Sequence, residues 1–140
     1  MKNSLVKDWM SKNPITADVH TILPDAHKIL VEKKIRRLLV TENGKLVGIV
    51  TRGDIRGAEP SAATSLSIYE LNYLLAKLTL DKIMKRNPIT VAPGTSVGEA
   101  ARLMLENKIA GLPVVEGDKL VGVITESDIF RMVVKTWETA

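Results

Sequence analysis

The feature that most restricts what this chain can fold into is an internal repeat with a period of 74 residues, the separation of Met10 from Met84. It runs without a gap. Asn13-Pro14-Ile15-Thr16 returns as Asn87-Pro88-Ile89-Thr90, Lys34-Ile35 as Lys108-Ile109, and Lys45-Leu46-Val47-Gly48 as Lys119-Leu120-Val121-Gly122. Self-similarity at a fixed spacing means one structural unit written twice, so the repeat predicts a pseudo-twofold pair. At 140 residues the two copies fit within one ordinary domain or two small halves.

Each copy ends on a related heptapeptide, Gly48-Ile49-Val50-Thr51-Arg52-Gly53-Asp54 and Gly122-Val123-Ile124-Thr125-Glu126-Ser127-Asp128. Both read as an apolar strand running into a helix through Thr-x-x-Asp. That spacing suits a capping box, in which the hydroxyl takes one orphan amide and the carboxylate another. It also suits a ligand. A strand-to-helix corner gathers amides, a hydroxyl and the positive end of a helix dipole, which fit a phosphate. An Asp on the first turn offers two acceptor oxygens to a vicinal diol such as a ribose. Glycine within a strand costs stability and often marks a close approach to the backbone, which a capping box does not explain at Gly48 or Gly122.

The rest of each copy follows from local chemistry. A short amphipathic turn, 6–10 and 80–84, leads to Asn-Pro-Ile-Thr, where the proline biases its predecessor toward extended backbone and predicts a short strand. A helix follows. In copy one Pro24 suits an early helical position and Ala26, Ile29, Leu30 and Lys33 keep helical spacing; in copy two Ser96-Val97-Gly98-Glu99 is a capping box ahead of Ala100, Leu103 and Met104. Two strands, 37–41 and 46–51, are joined by Asn43-Gly44, a hairpin signal because both central residues of a type I′ turn need positive φ. Glu116-Gly117-Asp118-Lys119 takes that place in copy two. Each copy therefore reads β-α-β-β-α, an α/β arrangement with repeats at 6–58 and 80–136.

The segment 59–79 has no counterpart. It holds Pro60, a small-residue run at 61–67, and the capping box Ser67-Ile68-Tyr69-Glu70 ahead of an apolar stripe of Ile68, Leu71, Leu74, Leu75 and Leu78. It predicts an inserted helix whose stripe buries against something. The last helix, from about Glu126, carries Ile129, Met132, Val133 and Trp137 on one face, for packing within the unit or against a second chain.

Composition narrows the function. Without cysteine there are no disulfides, thiolate nucleophiles or cysteine-ligated metals, which suits a reducing cytosol. No apolar run approaches the roughly 20 residues of a membrane span, and the first ten residues carry charges where a signal peptide needs an apolar centre, so a cytoplasmic, non-membrane protein is expected. A net charge of +4 favours anions, yet 4% aromatics leaves little for base stacking, and nucleic acid is not the expected partner. His20 and His27 stand in copy one alone and read as exposed. No Gly-x-Ser-x-Gly, Walker loop or Rossmann fingerprint occurs. Asp54 and Asp128 occupy equivalent positions, which makes them a poor acid/base pair. No enzyme, no metal site and no required cofactor are expected.

A tandem β-α-β-β-α unit with Asn-Pro-Ile-Thr at its first strand and Gly-x-x-Thr-x-x-Asp at its last resembles a pair of cystathionine β-synthase (CBS) domains, over roughly 6–135. The inserted segment and helix are similar to those of stand-alone bacterial and archaeal pairs related to acetoin utilisation protein AcuB. The resemblance implies a regulatory module that senses adenine nucleotides (AMP, ADP or ATP), or S-adenosylmethionine, in two clefts between the repeats. It implies that the Thr of one repeat meets phosphate, its Asp the ribose, and the first strand of the other repeat the base. One cleft would then use Thr125 and Asp128 with Asn13, Pro14, Ile15 and Thr16, the other Thr51 and Asp54 with Asn87, Pro88, Ile89 and Thr90. A basic residue opening the other repeat's middle strand completes the phosphate contacts. Arg36 and Arg37 hold that place in copy one and Ala110 and Gly111 in copy two, so the Thr125/Asp128 cleft is expected to be the stronger. Arg52 is a partial substitute in the weaker one.

Two other classes stay open on the residues alone. One is a scaffold with empty clefts, a homodimer through its helices; the other is a nucleic-acid binder. The effector protein that listens to the module is unknown.

Overall fold

The structure is a computed structural model that describes residues 3–58 and 66–140. The chain divides into two compact units, one of them the continuous stretch Ile15–Pro88, the other joining Met1–Pro14 to Ile89–Ala140. The short turn that opens each copy therefore belongs to the unit holding the other copy's hairpin. The small-residue run at 61–65 and Pro60 lie outside the described residues.

In the unit Ile15–Pro88, β1 (Thr16–Asp18) runs parallel to β2 (Arg37–Glu42), and β2 pairs antiparallel with β3 (Lys45–Thr51). The hairpin turns through Asn43 and Gly44 at φ of 53° and 81°, the positive pair that the sequence predicts. Helix α2 (Leu23–Glu32) starts with Pro24 in its first turn and buries Leu23, Ala26 and Leu30. Lys34 then takes the left-handed conformation (φ 55°), and the Ile35 amide donates to the Leu30 carbonyl at 3.0 Å. This closes the helix as a Schellman-type cap with Ile35 as its apolar anchor, and it gives the recurring Lys-Ile pair a cause, since Lys108 (φ 54°) and Ile109 do the same. Helix α3 (Arg52–Ala58) contributes buried Ile55. The core is Val19, Leu23, Leu30, Leu38, Val40, Val50, Ile55 and Leu80 with the small residues Ala17 and Ala26.

The other unit repeats the plan. Its hairpin is β5 (Gly111–Glu116) with β6 (Lys119–Thr125), turning at Gly117 (φ 63°). Helix α5 (Val97–Asn107) is capped by Ser96, whose hydroxyl accepts from the Glu99 amide at 3.1 Å. The Glu99 carboxylate bonds Arg102, which holds that carboxyl below its ordinary pKa. Helix α6 (Glu126–Thr139) and the one-turn α1 (Val6–Trp9) complete it around Val6, Val91, Val97, Ala100, Met104, Leu112, Val114, Ile124 and Met132.

Three expectations change. Of Asn13-Pro14-Ile15-Thr16 only Thr16 is in a strand; in copy two the strand shrinks to a bridge of Val91 to Val114. The prolines have no amide to give a ladder, and Asn87 turns at φ 54°. Helix α4 (Ile68–Lys77) forms with its Ser67 cap, the hydroxyl accepting from the Glu70 amide at 3.2 Å, but buries no residue fully. Leu71, Leu75 and Leu78 are half-buried, while Ile68, Tyr69, Tyr73 and Leu74 are exposed. The face of α6 also splits: Met132 is buried and Ile129 half-buried, whereas Val133 and Trp137 join Phe130 and Val134 in solvent.

Candidate functional site

Both Thr-x-x-Asp corners form as the sequence predicts. At the end of β3 the Thr51 amide donates to Asp54 Oδ2 at 2.9 Å and the Asp54 amide donates to Thr51 Oγ1 at 3.1 Å. At the end of β6 the Thr125 amide donates to Asp128 Oδ2 at 2.8 Å, and the Thr125 hydroxyl lies 3.1 Å from the same oxygen. Each corner is tied to its hairpin by one further bond: Arg52 N–H to the Arg36 carbonyl at 3.1 Å, and Glu126 N–H to the Ala110 carbonyl at 3.0 Å.

The two carboxylates sit in different surroundings. Asp128 is the buried charged residue of the described structure, 4% exposed, and its Oδ1 accepts from Arg131 Nη1 at 2.7 Å. Asp54 is half-buried, and Gly57 stands where copy two has Arg131. No cation pairs with Asp54 among the described residues. A carboxylate oxygen has about two acceptor positions. Asp54 therefore keeps more of its capacity for a diol than Asp128 does.

The glycines ahead of the corners have a different cause from the one a ligand would supply. A Cβ at Gly122 would lie 2.7 Å from both Met10 Sδ and the Ser11 carbonyl; at Gly48 it would lie 2.5 Å from Met84 Sδ and 3.0 Å from the Lys85 carbonyl. Something does approach the backbone there, but it is the chain itself. Ser11 bridges antiparallel to Val123, and β4 (Lys85–Arg86) pairs antiparallel with β3, Gly48 opposite Arg86 and Ile49 opposite Lys85. The glycines let methionines of the opening turns lie across the hairpins. Only after the structure places Met10 and Met84 is that signal readable.

That edge pairing brings part of each Asn-Pro-Ile-Thr segment into the unit of the other copy's corner. Asn13 and Pro14 share a unit with Thr125 and Asp128; Asn87 and Pro88 share one with Thr51 and Asp54. Ile15 and Thr16 fall in the Thr51 unit, and Ile89 and Thr90 in the Thr125 unit. Ile15 and Ile89 are exposed at 37% and 40%, two branched apolar side chains held in solvent at equivalent places. Arg36, exposed, and Arg37, half-buried, lie in the unit of Thr51, with Arg37 directly opposite Thr51 in the ladder. Ala110 and the buried Gly111 occupy those places beside Thr125. His20 and His27 are exposed, and among the described residues no group of His, Asp or Glu side chains could hold a metal. No helix among the described residues is long and apolar enough to cross a membrane.

The family model for the CBS domain matches twice, at residues 6–61 and 80–135. Among curated proteins, a CBS domain-containing protein of Dictyostelium discoideum is 39% identical over 96% of this chain and 94% of its own. Others are longer: against an L-aspartate semialdehyde sulfurtransferase of Methanocaldococcus jannaschii, 38% identical over 92% of this chain, the match spans 23% of that protein. Among solved structures, the CBS domain pair of protein MJ0100 in complex with 5′-methylthioadenosine and S-adenosyl-L-methionine is 36% identical, covers 95% of this chain and 98% of its own, and has a TM-score of 0.74. CBSX2 of Arabidopsis thaliana in complex with AMP is 31% identical, covers 95% and 98%, and has a TM-score of 0.79. A candidate acetoin utilization protein, AcuB of Vibrio cholerae, is 32% identical over 96% and 93%, with a TM-score of 0.79. Pairs of this kind are generally regulatory, ligand-binding and non-catalytic.

Proposed function

The chain belongs to the CBS domain family, and from that premise we propose that it is a non-catalytic regulatory module whose two Thr-x-x-Asp corners bind adenine nucleotides. The observation that carries this reading is the pair of corners themselves. Each presents a threonine hydroxyl and an aspartate carboxylate at the junction of a strand and a helix, the equipment for a phosphate and a ribose. The relatives solved with AMP and with S-adenosylmethionine and methylthioadenosine all hold an adenosine group, which supports the ligand class. Thr51, Asp54, Thr125 and Asp128 meet sugar and phosphate, and the Asn13-Pro14-Ile15-Thr16 and Asn87-Pro88-Ile89-Thr90 segments, with exposed Ile15 and Ile89, frame the base. The nucleotide acts as regulatory ligand in a cytoplasmic protein that reports cellular energy state.

Calorimetric titration with AMP, ADP and ATP tests it. Binding raises thermal stability by RT ln(1 + [L]/Kd), about 2.7 kcal/mol at a hundredfold excess over Kd. Absence of both heat and a thermal shift with every adenosine ligand would overturn the reading. One observation favours a self-association role beside it: Phe130, Val134 and Trp137 are 64%, 50% and 77% exposed along α6, an apolar stripe suited to a homodimer. Sedimentation of the wild type against Trp137→Glu measures that.

A further inference from the structure

We propose that the corner of copy one is the polyphosphate end of the module, selecting ligands with two or three phosphates, while the corner of copy two takes adenosine ligands with one phosphate or none. This rests on the nucleotide reading above for the sugar and base, and on separate observations for the phosphates.

Six cations lie on the segments that lead into and out of the Thr51/Asp54 corner: Lys33, Lys34, Arg36, Arg37, Arg52 and Arg56. The fold brings them together. Lys33 closes α2, Lys34 in its left-handed conformation reverses the chain, and Arg36 and Arg37 open β2. Arg37 stands opposite Thr51 in the ladder, so their side chains share a face. The Arg36 carbonyl holds the Arg52 amide, and Arg56 lies one turn beyond Arg52 on the same side of α3. Five of the six are exposed, Arg37 is half-buried, and none is in an ion pair among the described residues.

Copy two keeps one of the six, Lys108. The equivalent positions are Asn107, Lys108, Ala110, Gly111, Glu126 and Phe130, one cation offset by one anion. On the helix that leaves this corner, Arg131 is paired with Asp128. Like charges crowded without partners repel, and such a cluster draws in a polyanion. A monophosphate is satisfied by one or two guanidinium groups, each able to hold two oxygens. A cluster of this size matches a run of phosphates, each added phosphate meeting a further cation.

The test is titration of the intact chain at about 0.15 M salt with sodium tripolyphosphate, ATP, AMP and a single-stranded oligonucleotide, for the wild type and for Arg52→Glu, which copies the residue of copy two. Arg52 is exposed, and unliganded melting curves verify that the variant folds. The expected result is that tripolyphosphate binds, that ATP binds about tenfold or more tighter than AMP, and that Arg52→Glu abolishes the first and levels the second. Failure of tripolyphosphate to bind, equal affinity for ATP and AMP, or indifference to Arg52→Glu overturns the proposal even where AMP binds and the nucleotide reading stands. Tripolyphosphate binding with no response to AMP or ATP overturns the nucleotide reading and leaves the phosphate assignment intact. An oligonucleotide that binds more tightly than tripolyphosphate, with the same dependence on Arg52, makes the surface a nucleic-acid site and overturns it too.

Discussion

The two Thr-x-x-Asp corners share a backbone and differ in nearly everything electrostatic. Corner one has a half-buried aspartate that no cation pairs with among the described residues, Arg37 opposite its threonine and Arg52 at the head of its helix; corner two has a buried aspartate clasped by Arg131, Gly111 opposite its threonine and Glu126 at the head. In both frames the threonine amide donates to the aspartate Oδ2, at 2.9 and 2.8 Å. The frame is what the fold requires, because an uncapped helix start leaves amides unsatisfied. The charges around it are not required by the fold, so they are where the two copies are free to differ.

The largest expected effect tests the frame. Gly122→Ala puts a methyl 2.7 Å from the Ser11 carbonyl, which cannot move without breaking the bridge to Val123; Gly48→Ala meets chiefly the flexible end of Met84, with the Lys85 carbonyl at 3.0 Å. Overpacking costs about 1–3 kcal/mol, with Gly122→Ala at the upper end and Gly48→Ala near the lower. Chemical denaturation measures both. Adding Met84→Ala should relieve Gly48→Ala, whereas Met10→Ala should leave most of the Gly122→Ala loss in place; equal relief would mean that the two approaches are alike after all.

The carboxylates come next. Asp128→Ala removes a cap, a charge-assisted bond to Arg131 and a buried group that fills its site, for a loss of about 2 kcal/mol, while Asp54→Ala loses the cap alone, about 1 kcal/mol. For ATP the order reverses. Asp54→Ala should weaken binding about tenfold or more and Asp128→Ala much less, because Asp54 has unused acceptor capacity beside the arginines. The resemblance read from sequence ranks the corners the other way by giving Arg36 and Arg37 to Thr125 and Asp128. Calorimetry on the two variants decides between them.

What could be read from sequence divides along the same line. The repeat, the hairpins, the helix starts and both capping boxes follow from local patterns: period, Asn-Gly, Thr-x-x-Asp. What escaped depends on residues far apart in the chain. The space above Gly122 belongs to Met10 and that above Gly48 to Met84, and a strand glycine alone does not say whether its visitor is a ligand or the protein. The joining of Met1–Pro14 to Ile89–Ala140 in one unit is the same fact at larger scale. The Asp128–Arg131 pair was within reach, three residues apart on a helix, and the repeat flags it, since Gly57 breaks the alignment there. The exposure of α4 was not, because Ile68 and Leu74 keep the helical spacing of a stripe that normally buries.

The smallest expected effect isolates that one clasp. Arg131 is 68% exposed at its side chain while its partner is 6% exposed, so water screens one end of the pair and the fold holds the other. Arg131→Ala keeps the helix and leaves Asp128 bonded to Thr125, and the loss in stability should stay below about 1 kcal/mol, as for ion pairs open to solvent, and shrink further in high salt. Its effect on ligands should exceed its effect on folding, because Oδ1 regains an acceptor position for a sugar hydroxyl. Adenosine, which has the diol and no phosphate, is the discriminating probe: its affinity should rise in Arg131→Ala and fall in Gly57→Arg, where the new arginine would take up an acceptor position of Asp54. A fall in adenosine affinity on removing Arg131 would mean that the guanidinium holds the carboxylate in place for the ligand, and that the clasp prepares corner two where we expect it to occupy it.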